Sequence, residues 1–265
     1  MFLKKMIKWI MPHGIYVAYI TKRQSYEITH RGQIEAVVLH DEATKDIGKN
    51  WVSSSYYAQA EEWLDVFWAE DTVFYKSFCQ LDCTNIVELA CGHGRHVQKY
   101  LEKTKTITLV DINQENIDFC KQRFLGNAKI NFLVNNGNSF KGIDTNSQTA
   151  ILTYDAMVHF ELLDILEYLK ESNRILVNGG KILFHHSNAA ASATFKPELG
   201  YRLQKNGRSF MSADIFAYLA LRTGFVVLQQ DIFSWSEGET YTKDVDCLSL
   251  CQKVKKLVQN SPNVA

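Results

Sequence analysis

Proline is nearly absent, three in 265 residues, and no segment recurs at a fixed period. Collagen-like and solenoid architectures are therefore excluded. Excess charge is absent too, because 29 basic residues face 29 acidic ones. A general nucleic-acid binder rests on surplus Lys and Arg, so that class is set aside. The six cysteines, Cys79, Cys83, Cys91, Cys120, Cys247 and Cys251, form no C-x-x-C pair. Zinc-finger spacing is missing, no metal is expected, and free thiols of a reducing cytoplasm are the better reading. Nor is there a run of about 20 apolar residues long enough to span a bilayer. The most apolar opening, Met1 to Ile20, is broken by Lys8 and Pro12 and lacks a small-residue cleavage site, so it is no signal peptide.

What is present is a well-filled globular composition, 46% hydrophobic and 12% aromatic with 22% charged residues. That excludes disorder and suits one large α/β domain. The first 31 residues stand apart, with Lys4, Lys5, Lys8, Lys22, Arg23 and Arg31 against Glu27 alone. Lysines beside Trp9, Ile10 and Met11 suit an amphipathic helix lying on a membrane surface. A helix packed on its own domain, or on a second subunit, carries the same pattern. The expected organisation is a basic, aromatic helical extension over 1–50, a domain over 51–255 and a short tail over 256–265. The location expected is cytoplasmic, with peripheral contact to the inner face of the membrane through 1–31 if the first reading holds.

Periodicity predicts a helix over 1–30 and another from Trp51 to Phe78. From Asn85 onward short apolar strands alternate with helices. Strands are expected at 85–90, 106–111, 130–134, 150–154, 181–185, 225–233 and 244–250. Helices are expected at 95–101, 114–124, 162–176 and 213–223, with Asn178-Gly179-Gly180 as a helix stop. This alternation predicts a doubly wound, mostly parallel seven-stranded sheet whose ligands bind at the carboxyl ends of the strands.

The sharpest motif is Val87-Glu88-Leu89-Ala90-Cys91-Gly92-His93-Gly94-Arg95-His96, with Asp111 closing the next strand 23 residues after Glu88. A glycine turn lets backbone N–H groups approach a ligand closely. An acid at the second strand end can accept a ribose diol. A nicotinamide fingerprint needs a third glycine, and Val97 stands in its place. The Glu88 carboxylate suits a cofactor with a cationic amino group and fits poorly beside a pyrophosphate.

These segments resemble the first two motifs of the class I S-adenosylmethionine-dependent methyltransferases, with Ala90 where the family usually has glycine. The resemblance covers about residues 50–255 and implies a Rossmann-like methyltransferase fold with S-adenosylmethionine as cofactor. It further implies that Glu88, Ala90, Gly92 and Gly94 line the methionine portion, that Asp111 holds the ribose and that Ile112 lies against the adenine. Asn138 and Ser139 look like the adenine-edge segment. Tyr154 and Asp155, in the run Tyr154 to Phe160, resemble the motif flanking the transferred methyl. Tyr57 is placed to close over the methionine end, with aromatic packing equally open, and Arg95 to meet the cofactor carboxylate, with simple solvation open.

Methyl transfer is an in-line displacement at an already activated carbon, so the protein must mainly align a nucleophile and deprotonate a hydroxyl. Neutral imidazole suits that base role. His159 follows the fourth strand, and His185-His186 end the fifth, where one ring must face the cleft and the other away. His159 or His186 is taken as base, with Asp155 orienting substrate or the sulfonium end. Residues 187–212 form a long insertion, read as a lid, with Lys196, Tyr201, Arg202, Lys205 and Arg208. Its basic residues suggest an anionic acceptor.

The opening residues are similar to those of bacterial methyltransferases of surface-glycan assembly. The reading is an O-methyltransferase for a sugar hydroxyl or phosphate-type oxygen of a capsule or lipopolysaccharide precursor. The alternatives are N-methylation of a small metabolite, a non-catalytic cofactor-binding scaffold, and a nicotinamide oxidoreductase. An oligomer is compatible with all of them.

Overall fold

The computed structural model describes residues 44–45, 48–49, 51–197, 199, 207–234 and 243–254. The chain divides into two units, 1–46 and 47–265, and all that follows concerns the second. The expected helix over 1–30, most of the basic extension, Tyr201, Arg202 and Lys205 of the insertion, and the tail lie outside the described residues.

Seven strands form one sheet: β1 (Asn85–Leu89), β2 (Thr106–Asp111), β3 (Ile130–Val134), β4 (Gln148–Thr153), β5 (Leu176–Ser187), β6 (Phe225–Phe233) and β7 (Asp246–Lys253). Their order is β3-β2-β1-β4-β5-β7-β6. The first five run parallel, while β7 pairs antiparallel with both β5 and β6. The chain moves outward from β1 through β2 to β3, then returns to β4 on the other side of β1. That reversal opens a crevice beyond the carboxyl ends of β1 and β4, where doubly wound sheets bind ligands.

Both faces are covered, which is why the strands read as near-continuous apolar runs. On one face Ile86, Leu109 and Leu152 pack with Leu64, Phe74, Phe78, Tyr100 and Ile117. These come from α2 (Leu64–Phe67), α3 (Val73–Phe78), α4 (Val97–Tyr100) and α5 (Gln114–Arg123). On the other face Val87, Ile151 and Phe184 pack with Ile165, Tyr168 and Phe216. Those residues belong to α6 (Leu162–Ile175) and α7 (Ala213–Arg222).

Three expectations change. The single helix over 51–78 is instead α1 (Tyr56–Glu62), α2 and α3. Thr72 stops any continuation, since its hydroxyl accepts from the Tyr75 N–H and caps a new helix. The helix expected at 95–101 shortens to α4. The supposed helix stop at Asn178-Gly179-Gly180 lies inside β5. There the pairing jumps from Gln148 with Leu176 to Ala150 with Lys181. Gly179 takes φ +82, and a Cβ on Gly180 would lie 3.0 Å from the Val177 carbonyl. The glycines make a bulge within one strand. Among the described residues no helix is long and apolar enough to cross a membrane.

Candidate active site

The site grows from the turn after β1. Ala90, Gly92 and Gly94 all take positive φ, at +54, +53 and +70. The left-handed conformation is costly for alanine, by about 1–2 kcal/mol. Ala90→Gly is therefore expected to raise stability by up to about 1 kcal/mol in denaturant unfolding, after glycine's entropic cost. The other two positions have no room for a side chain. A Cβ on Gly92 would approach Tyr57 Cε1 to 2.7 Å, and one on Gly94 would approach Phe124 Cε2 to 2.8 Å.

Asp111 ends β2 beside this turn and is buried. Its carboxylate accepts from the Gly92 N–H at 2.9 Å, the Asn113 N–H at 2.9 Å and Asn116 Nδ2 at 3.1 Å. Asn116 also donates to the Tyr57 hydroxyl at 2.9 Å. Tyr57 thus spans the turn and the acid, stacking on His93, which stacks in turn on Phe119. Arg123 pins α1 in place, pairing with Glu61 and donating to the His93 carbonyl at 3.0 Å. Ile112 packs against Gly48, and Asn113 Nδ2 donates to the Gly48 carbonyl at 2.8 Å. Asn138 and Ser139 sit half-buried in a loop meshed through Asn136.

Glu88, buried at the end of β1, accepts a hydrogen bond from the Tyr100 hydroxyl. Burial pushes its carboxyl up to about 7, against the pull of Tyr100, Arg95 and Arg123. Arg95 lies across from it, nine-tenths buried. Its guanidinium donates to Asp155 Oδ2 at 3.1 Å and to His96 Nε2 at 3.2 Å, while Nη1 has no partner. A buried, unsatisfied cationic N–H is a place for an anionic ligand group.

Beyond β4 the chain turns sharply at Asp155, which holds φ +62. Its side chain accepts a hydrogen bond from the Tyr56 hydroxyl as well as one from Arg95. Burial lifts the Asp155 carboxyl to about 8; Arg208 opposes this and Asp246 adds to it. The Arg95 contact favours the charged form as well. Trp51 lies edge-on to Tyr56 and tilted against the His159 ring at 5.1 Å, and Trp63 is also edge-on to Tyr56. His159 presents Nδ1 to the Gly207 carbonyl at 2.7 Å. A carbonyl only accepts, so Nδ1 carries the proton and Nε2 the lone pair.

The expected sites thus gather into two adjoining halves. Glu88, Ala90, Gly92, Gly94, Asp111, Ile112 and Tyr57 surround the β1–β2 ends. Arg95, Asp155 and His159 stand at the β4 end, and Arg95 joins the halves. Tyr154 differs from expectation, since its ring lies in the aromatic cluster with Phe67, Phe74 and His185. His186 is a correction. It is fully buried on the opposite face, stacked 4.0 Å from Phe216, with its nitrogens on the Ser187 carbonyl and Ser249 Oγ. Burial drives its imidazole down to about 3. It takes no part in the cleft; its neighbour His185 is the one facing Asp155. Arg208 is also recast. Its charge is committed to buried Asp246 through bonds of 2.7 and 2.9 Å, so it offers no surplus positive charge to an anion.

Residues 86–180 match a family model described as a methyltransferase domain. A Bacillus subtilis protein named methyltransferase YqeM is 24% identical over 60% of this chain and 63% of its own length. The chain thus spans less than two thirds of that relative. Among solved structures, an S-adenosylmethionine-dependent methyltransferase from Mesorhizobium loti superposes with TM-score 0.55. The identity is 12%, over 68% of this chain and 97% of that one. A geranyl diphosphate methyltransferase, solved with its cofactor, gives TM-score 0.54 at 15% identity over 68% and 85% of the two chains. The fold is shared with these solved S-adenosylmethionine-dependent methyltransferases. Within it, residues 86–180 are the part similar to the methyltransferase-domain family.

Proposed function

We propose that this protein is an S-adenosylmethionine-dependent O-methyltransferase whose acceptor is a hydroxyl of a saccharide-like molecule. The observation that carries the cofactor half is the joint placement of Glu88, the Gly92–Gly94 turn and Asp111 at adjoining strand ends, with the unsatisfied Arg95 Nη1 beside them. These groups fit the cofactor. Asp111 would hold the ribose hydroxyls, Glu88 the ammonium and Arg95 the carboxylate, and the turn leaves no Cβ in the way. When bound, the cofactor supplies a methyl carbon already activated by a sulfonium.

The acceptor half rests on chemistry at the β4 turn. His159 presents a deprotonated Nε2, and burial keeps its imidazole down at about 4, so it stays neutral throughout the physiological range. The two guanidinium groups at this turn are each bonded to an acidic side chain, Arg95 to Asp155 and Arg208 to Asp246. Committed guanidinium groups and the rings of Trp51, Tyr56 and Trp63 favour an uncharged, flat-faced acceptor over a phosphate. A sugar of a surface-polysaccharide precursor, as the leader's resemblance implies, satisfies that description.

Transfer of tritiated methyl from S-adenosylmethionine to a panel of saccharides, sugar phosphates and small amines tests this reading. Saccharide labelling should fall by about 10²–10⁴-fold in His159→Ala. In the wild type kcat at saturating cofactor should rise with pH only through about 4, because the His159 imidazole is neutral above it. Labelling confined to amines and indifferent to His159→Ala overturns the oxygen assignment.

A further inference from the structure

The Asp155 turn is held from a direction that none of the expected site residues accounts for. A non-glycine residue at φ +62 is uncommon and persists only where its surroundings over-determine it. The Asp155 N–H donates to His185 Nδ1 at 3.0 Å. His185 is fully buried, its ring between those of Tyr154 and Phe233 at 4.7 and 5.2 Å. Because Nδ1 accepts, the ring proton resides on Nε2, which lies 3.5 Å from Asp246 Oδ1. Asp246 is gripped in turn by Arg208.

Arg208 belongs to the returning arm of the insertion, and that arm is bonded to the same turn. The Ser209 N–H donates to the Val158 carbonyl at 2.9 Å, the Gly207 carbonyl accepts from His159, and the Ser187 hydroxyl donates to the Ser209 carbonyl at 2.9 Å. The β4 turn, the end of β5, the start of β7 and the insertion arm therefore form one bonded unit, with His185 at its centre.

We propose that His185 is a positioning residue: it locks the Asp155 turn by accepting its N–H, and the Asp246–Arg208 pair fixes the tautomer that makes this possible. The proposal rests on the reading above, in which the acceptor binds against Asp155 and His159. Neutral imidazole offers an acceptor and a donor at opposite ends of one short side chain. Asparagine reproduces the acceptor at the Nδ1 position, glutamine reaches only the Nε2 position, and phenylalanine keeps the ring without either.

The test is amide hydrogen exchange at Asp155 in the full chain, with S-adenosylhomocysteine affinity measured in parallel. Exchange at Asp155 should quicken about tenfold in His185→Phe and His185→Gln and return to the wild-type rate in His185→Asn. Nitrogen NMR of the wild type should show the ring protonated at Nε2. S-Adenosylhomocysteine affinity should differ by no more than a few-fold among the four proteins, since Glu88 and Asp111 lie outside this unit and only Arg95, through Asp155, links it to the cofactor residues. His185→Gln keeps the test open should His185→Phe not fold. Unchanged Asp155 exchange in His185→Gln, no rescue by His185→Asn, or lost affinity in the variants alone overturns the proposal. Failure of the wild type to bind S-adenosylhomocysteine would instead overturn the methyltransferase reading, leaving the exchange pattern to be judged by itself.

Discussion

Asp246→Ala is expected to destabilise the protein by about 3–5 kcal/mol at neutral pH, the usual penalty for stranding one member of a buried ion pair. Asp246 has no solvent exposure, and its carboxylate takes two bonds from Arg208 and lies against His185. Burial alone would raise its pKa, but His185 and Arg208 outweigh burial and hold the carboxyl down at about 2, from an ordinary 3.8. A depressed carboxyl stabilises the fold above its unfolded pKa and stops doing so as pH falls through the folded one. The gap between wild type and Asp246→Ala in denaturant unfolding should accordingly be constant from pH 5 to 8 and close between about 4 and 2. The double variant Asp246→Ala/Arg208→Met should recover at least half of the loss, because both charges leave together. A loss below 1 kcal/mol for the single variant would mean that Arg208 finds water instead.

Glu88→Gln is expected to act in the opposite direction. The native carboxyl titrates near 7 against 4.5 when unfolded, chiefly because it is buried. The folded state therefore holds its proton more tightly, and the group withdraws stability as pH rises from about 4.5 through 7. The shift corresponds to about 3 kcal/mol above pH 8. Glu88→Gln should match the wild type at pH 4.5 and be about 2–3 kcal/mol more stable at pH 8. Cofactor binding should suffer in exchange, since glutamine offers the ammonium no charge. Greater stability joined to weaker binding is the signature of a group retained for function. Equal stability at both pH values would show that Tyr100 and Arg95 already keep Glu88 ionised.

Much of the cofactor half was legible because it is local. Glu88, the glycine turn and Asp111 lie within one strand–helix–strand unit, and the spacing of apolar runs placed β2, β3 and β6 at their observed bounds. Ala90 kept the left-handed turn without the glycine, so the motif survived a substitution that the backbone still registers as strain. The acceptor half was less legible because it is assembled from afar. Tyr56 and Asp155 are 99 residues apart, and Asp246 comes from a strand expected at 244–250 whose antiparallel pairing the alternation of strand and helix does not forecast. Strand alternation required one of His185 and His186 to face inward but did not say which. The register of β5 against β4 and β7 decides that, and the register depends on the bulge at Gly179-Gly180 that read as a helix stop.

Calorimetric titration with S-adenosylhomocysteine, with NADH as comparison and Asp111→Ala as control, tests the assignment most directly. Micromolar binding of S-adenosylhomocysteine, weakened at least tenfold by Asp111→Ala and absent for NADH, is the predicted result. Binding of NADH in its place, or binding indifferent to Asp111, would contradict the assignment and leave the fold without its cofactor.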